Sequence, residues 1–195
     1  MGRNREIFRQ QRAHAELVFR DAQRLYRYLG AGGQLGGVTG DPRLAPGEEL
    51  IFEERYDVGR FRGADVQYTT PGYFAVGSPA FVLGAMLGNL ADRYAARRSA
   101  EREAAPQWRF FGPLTCLLTK SSVLFWLDGR WEGDLIAALH DIRPNITFHF
   151  VDVCYGSEPI RLVGPTAPWL SVALLHLKYG VAGLHHPALR ALAGP

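Results

Sequence analysis

The stretch GPLTCLLTKSSVLFWLDGRWEGDLIAALHDI, residues 112–142, decides the fold. It holds three apolar runs, PLTCLLT, SVLFWLD and GRWEGDLI, each of strand length and separated by Ser and Gly turn signals. Downstream, ITFHFVDV (146–153) and EPIRLVG (158–164) read in the same way. In the first of these, Ile146, Phe148 and Phe150 share one face, as strand alternation requires. Upstream, ELIFEERYDV (49–58) and ADVQYTT (64–70) complete a set of seven candidate strands. The chain then turns at GPTAP and closes with WLSVALLHLKYG (169–180). There Trp169, Val172, Ala173, Leu177 and Gly180 lie on one helical face, and Gly180 is placed to stop the helix.

Two further helices are expected. In residues 5–29 a stripe of Ile7, Gln11, His14, Val18, Ala22, Leu25 and Leu29 follows a period near 3.6, flanked by Arg9, Arg12, Arg20, Arg24 and Arg27. GAGGQLGGVTGDPRLAPG (30–47) then has the composition of a flexible linker. Its glycines make a poor phosphate cradle, because Leu35 stands where the last Gly of G-x-G-x-x-G belongs and a helix precedes the loop. The second helix begins at Ser78-Pro79, an N-cap followed by proline, and extends to about residue 105. No charged residue occurs between Asp65 and Asp92, yet the apolar part of this helix covers only Pro79 to Ala91. At ~1.5 Å per residue that is about 20 Å, short of a ~30 Å hydrocarbon core. Its apolar side chains spread around the whole circumference, and Gly84 and Gly88 form a G-x-x-x-G pair. Phe81, Gly84, Leu87 and Gly88 are therefore the expected close-packing or oligomer contact.

A chain of 195 residues that is 47% apolar and 12% aromatic has the composition of one folded domain with appendages. The net charge is +3, and residues 1–30 carry seven Arg against Glu6, Glu16 and Asp21, which leaves the body about neutral. An electrostatic partner is therefore expected at the N-terminal helix, with Arg9, Arg12, Arg20, Arg24 and Arg27 as its basic surface. The start MGRNREIFRQQ has no apolar h-region, so a cytoplasmic location is expected, including the inner face of the membrane.

From Pro46 to about Gly180 the chain resembles bacterial pleckstrin-homology-like (GRAM-like) domains. The resemblance rests on PGEELIFEE, the 112–142 run, ITFHF, PIRLVGP and the Trp169 helix. The chain departs from that pattern at Thr119-Lys120-Ser121-Ser122, where an Arg commonly follows the strand end, and in the long segment 71–107. The resemblance implies an α+β, mainly β fold: a PH-like seven-stranded small barrel, a C-terminal capping helix, a long inserted helix and an N-terminal helix. The expected parts are a basic helix (1–29), a Gly/Pro linker (30–46), the barrel domain (47–180, with the insertion at about 79–105) and a tail (181–195). The expected function is a non-catalytic interaction module, binding itself, another protein or an anionic membrane surface. A nucleic-acid binder using the same arginines is the alternative, and a small cysteine hydrolase the next.

Catalytic constellations are weak. His149, Asp152 and Cys154, with His140 and Asp141 upstream, are the best polar cluster. On one regular strand, however, His149 points away from Asp152 and Cys154. Cys116 and Cys154 are 38 residues apart and match no zinc spacing; both sit in apolar runs and read as buried thiols. Glu48-Glu49 and Glu53-Glu54 are adjacent pairs whose members face apart on a strand, and His185-His186 belongs to the tail. No catalytic residue, metal site or cofactor is expected.

Overall fold

The structure, a computed structural model, describes residues 2–62, 105–156 and 158–194, with the side chains of the first helix described from Ala13 onward. ADVQYTT and the inserted helix at about 79–105, with Phe81, Gly84, Leu87 and Gly88, lie outside the described residues. Met1–Arg60 with Phe110–Pro195 form one compact unit, and Phe61–Arg109 a second. In the second unit, the Phe61 and Trp108 rings lie 5.5 Å apart at 57°.

The main unit opens with helix α1 (Gly2–Gly30). A short strand β1 (Val38–Thr39) follows, then the long β2 (Glu49–Arg62), β3 (Gln107–Thr119), β4 (Ser122–Leu127) and β5 (Arg130–Leu135). After a 3-10 turn at Ile136–Ala138 come β6 (Asp141–Asn145), β7 (Phe150–Cys154) and β8 (Pro159–Val163). Helix α2 (Ala167–Tyr179), 3-10 turns over 180–185 and 187–189, and a short helix α3 (Arg190–Ala193) end the chain. The fold is α+β and mainly β, as expected. The strands form one sheet in the order β5-β4-β3-β2-β8-β7-β6, with β1 beside β2. The expected closed barrel is not formed. Among the described residues β5 and β6 each pair with a single strand, so the sheet is open, and α2 packs against β6 and β7.

α2 is the centre of the core. Leu170, Ser171, Val172, Ala173, Leu174 and Leu175 are all buried, so the helix is covered on more than the single face that its pattern suggested. The extra cover comes from α1, which lies against α2 and α3. Val18, Ala22 and Leu29 of the α1 stripe are buried, and Phe19, Leu25 and Tyr26 pack at the margin. Helix α1 is thus docked. It stops where Gly32 adopts a φ of +90°, a left-handed conformation that suits glycine, and Gly32 and Gly33 donate to Leu29 and Tyr28 carbonyls. At the other end of the core, the buried Ser171 hydroxyl donates to the Ala167 carbonyl at 2.7 Å, and Thr166 donates to the Tyr56 hydroxyl at 2.8 Å. Gly180 ends α2 with φ +63°, as its sequence position predicts.

Three segments differ from their sequence reading. The linker is not a free tether: Leu35 packs on the core, and Val38 and Thr39 pair with Leu50 and Glu49. ITFHFVDV is not one strand. Residues 146–149 form a turn, begun where the Asn145 side chain accepts from Phe148 N at 3.0 Å, and only Phe150 onward is extended. Its partner strand is the DIRPN run, which contains Pro144 and can be a strand because β6 is a sheet edge. The tail is folded, with Leu184, Leu189 and Leu192 buried.

Candidate interaction surface

The β4–β5 hairpin carries the most distinctive surface of the main unit. Asp128 and Gly129 have φ of +50° and +81°, the left-handed pair of a two-residue type I′ turn, whose twist matches that of the flanking strands. Pairing is continuous from Leu127↔Arg130 to Ser122↔Leu135. Val123 and Phe125 alternate inward and are buried, so Leu124 and Trp126 take the opposite face. There Trp126 stands across from Trp131 on β5, with ring centroids 5.1 Å apart in an edge-on contact. Trp126 is 43% exposed and Leu135 57%.

Arg43 fixes the former linker against this face. Its guanidinium lies 5.7 Å from the Trp131 ring centre and bonds Asp41 at 2.7 Å and Glu53 of β2 at 2.8 Å. Those charge-assisted bonds hold the Asp41 carboxyl down at about 2 and lower that of Glu53 as well.

Of the five α1 arginines expected to form a basic surface, three have described side chains. Arg20, Arg24 and Arg27 are exposed on the side opposite the buried stripe. Arg24 bonds Asp21 at 3.1 Å, and Arg27 donates to the Gln23 carbonyl. The side chains of Arg9 and Arg12 lie outside the described ones. Beside this face runs a groove of about 500 Å³ lined by Leu25, Tyr28, Phe52 and Trp169, with Asp21 and Arg24 on its wall. Phe52 and Trp169 stack in it at 4.5 Å and 20°.

Most of the other polar candidates are engaged locally. Asp152 is clamped by Arg161 through bonds of 2.7 and 2.8 Å, and the same guanidinium lies 3.9 Å from the Phe150 ring. His149 sits in the turn rather than on the strand, with φ +52°, and its Nδ1 is 3.2 Å from the Pro165 carbonyl. Cys154 is buried, and desolvation raises its thiol pKa; burial does the same to Cys116 more strongly. Asp141 bonds Arg143 and its neighbour's N–H, and His140 N–H donates to the Cys154 carbonyl. Glu48 accepts from the Ser121 hydroxyl, Glu49 pairs with Lys120 at 2.7 Å, and Glu54 accepts from Arg55 N–H. His186 Nδ1 accepts from Ala188 N–H, while His185 is exposed. Among the described residues no three His, Cys, Asp or Glu side chains are grouped to hold a metal, and no helix is long and apolar enough to cross a membrane.

Sequence reasoning passed over Trp126, Trp131 and Arg43. The signal available was WLDGRW, an Asp-Gly pair flanked by symmetrically placed tryptophans. Nothing in sequence marked Arg43, whose partners Glu53 and Trp131 are brought to it only by folding. Comparison with known proteins found no matching family model, no matching curated protein and no matching solved structure.

Proposed function

We propose that this chain is a non-catalytic, PH-like interaction module whose principal activity is self-association. The observation that carries the reading is the β5 edge, unpaired among the described residues, with Trp126 and Leu135 exposed beside it. The PH-like assignment is supported by the wiring. β2 to β5 form a run of sequential neighbours, β6 to β8 a second one, the last strand lies beside β2, and an apolar helix follows. Sedimentation velocity across a concentration series tests the function: a sedimentation coefficient that rises with concentration is expected. A constant monomer value would overturn the self-association reading.

A second reading, peripheral binding to an anionic membrane surface on the cytoplasmic side, is favoured by exposed Arg20, Arg24 and Arg27 on a docked helix. Each arginine adds on the order of 1 kcal/mol near anionic lipid, and the attraction weakens with salt. Co-sedimentation with phosphatidylserine vesicles but not phosphatidylcholine vesicles, lost in high salt, is the expected result. Equal retention of a DNA duplex would instead favour a nucleic-acid partner, and retention of none would reject the basic face as a binding surface.

A further inference from the structure

We propose that two copies of this chain join through their β5 strands, paired antiparallel about a two-fold axis at Glu132, to extend one sheet into the next. This rests on the self-association reading and names its surface.

The direction of the β5 backbone follows from one hydrogen bond. Ile136 N–H donates to the Ser121 carbonyl at 2.7 Å, so Ser121/Ile136 is a hydrogen-bonded pair. In an antiparallel ladder such pairs alternate with non-bonded ones. With the register from Ser122↔Leu135 to Leu127↔Arg130, the bonded pairs are Val123/Asp134, Phe125/Glu132 and Leu127/Arg130. The last is the pair that a two-residue hairpin requires at its turn, so both ends of the strand agree. Trp131, Gly133 and Leu135 therefore turn their N–H and C=O groups away from β4. Among the described residues no other strand takes them up.

The two sheet edges are not alike. β6 carries Pro144, which has no N–H to donate, and the charged pair Asp141–Arg143. β5 has no proline, and its charges are of mixed sign: Arg130, Glu132 and Asp134 on one face. That order is self-complementary. With the axis at Glu132, Arg130 of each copy faces Asp134 of the other, and Trp131 faces Gly133 of the other. The second pairing uses outward backbone groups on both sides and lets the indole lie over a position without a side chain. The two Glu132 carboxylates meet at the axis, each beside its own Arg130, whose Nε is 2.6 Å from it. An axis at Gly133 would instead set Glu132 against Asp134 twice, which like-charge repulsion disfavours. The flanking surface is already apolar, with Leu135 and Trp126 exposed.

Leu135→Pro tests the edge with little disturbance to the fold. Leu135 has φ −67°, the value proline imposes, its N–H points outward, and its side chain is mostly exposed. Sedimentation should show the dimer lost while the melting temperature holds. The register is tested by Arg130→Asp and Asp134→Arg. Each alone sets like charges in apposition twice and should be monomeric, whereas an equimolar mixture restores both opposite-charge contacts and should form a heterodimer. If Leu135→Pro does not fold, the mixing experiment alone decides. A dimer that persists in Leu135→Pro, or mixed variants that stay monomeric, would overturn the β5 pairing and leave self-association standing by another surface. A wild-type chain that is monomeric at every concentration would overturn both.

Discussion

Replacing Leu29 by alanine removes three carbons from the contact that holds α1 on the core. Leu29 is fully buried in the core at the last turn of the helix, just before the Gly32 stop, and α1 lies against α2 and α3. A leucine-to-alanine change at a fully buried site costs about 2–5 kcal/mol, set by how far the surroundings collapse into the space. The better helix propensity of alanine returns only a few tenths of that. For a chain of this size each kcal/mol lowers the melting temperature by about 2–4 °C, so a fall on the order of 5–15 °C is expected. Leu17 on the same helix is the control, because it is 58% exposed and its change to alanine should stay within about 0.5 kcal/mol. Urea and thermal unfolding of both variants against the wild type measure the difference. If Leu29→Ala and Leu17→Ala melt alike, α1 is a free arm and the account of the core around α2 is wrong.

Gly133→Ala should destabilise by about 1–3 kcal/mol, because the added carbon would stand 2.0 Å from the Val123 carbonyl oxygen and 2.8 Å from Leu124 Cα, both backbone atoms; a variant with an unchanged urea midpoint would refute that close approach. Thr166→Val should cost about 1–3 kcal/mol in the same assay, since it leaves the buried Tyr56 hydroxyl without its 2.8 Å partner. Cys116 and Cys154 should react slowly with a thiol reagent in the native state and fast after unfolding, and rapid native labelling of Cys154 would contradict its burial. Burial holds the Cys116 thiol and the Tyr56 phenol well above their usual values. The folded chain thus keeps protons that the unfolded chain releases above about pH 8.5 for the thiol and about pH 10 for the phenol. Their contribution is complete below those values and falls as pH rises towards the folded-state ones, so the melting temperature should decline in alkali. A Cys116→Ala variant should lose the thiol's share of that decline.

Much of the local structure was legible in the chain itself. The 3.6-residue stripe of α1, the runs that became β3, β4, β5 and β8, and Gly180 as the end of α2 all depend on neighbours close in sequence, where periodicity and turn chemistry act directly. Where legibility failed, a distant partner decided. DIRPN looked unlike a strand because of Pro144, and only its place at the sheet edge makes the missing N–H harmless. ITFHFVDV alternates like a strand, yet Asn145 turns its first half away to reach β6. The glycine linker has the composition of a tether, but Arg43, besides its local pair with Asp41, finds Glu53 and Trp131 only once β2 and β5 are in place. The β5 edge was not legible in the sequence. A strand becomes an edge through the pairing of every other strand, and that is a property of the whole sheet that no local window of sequence contains.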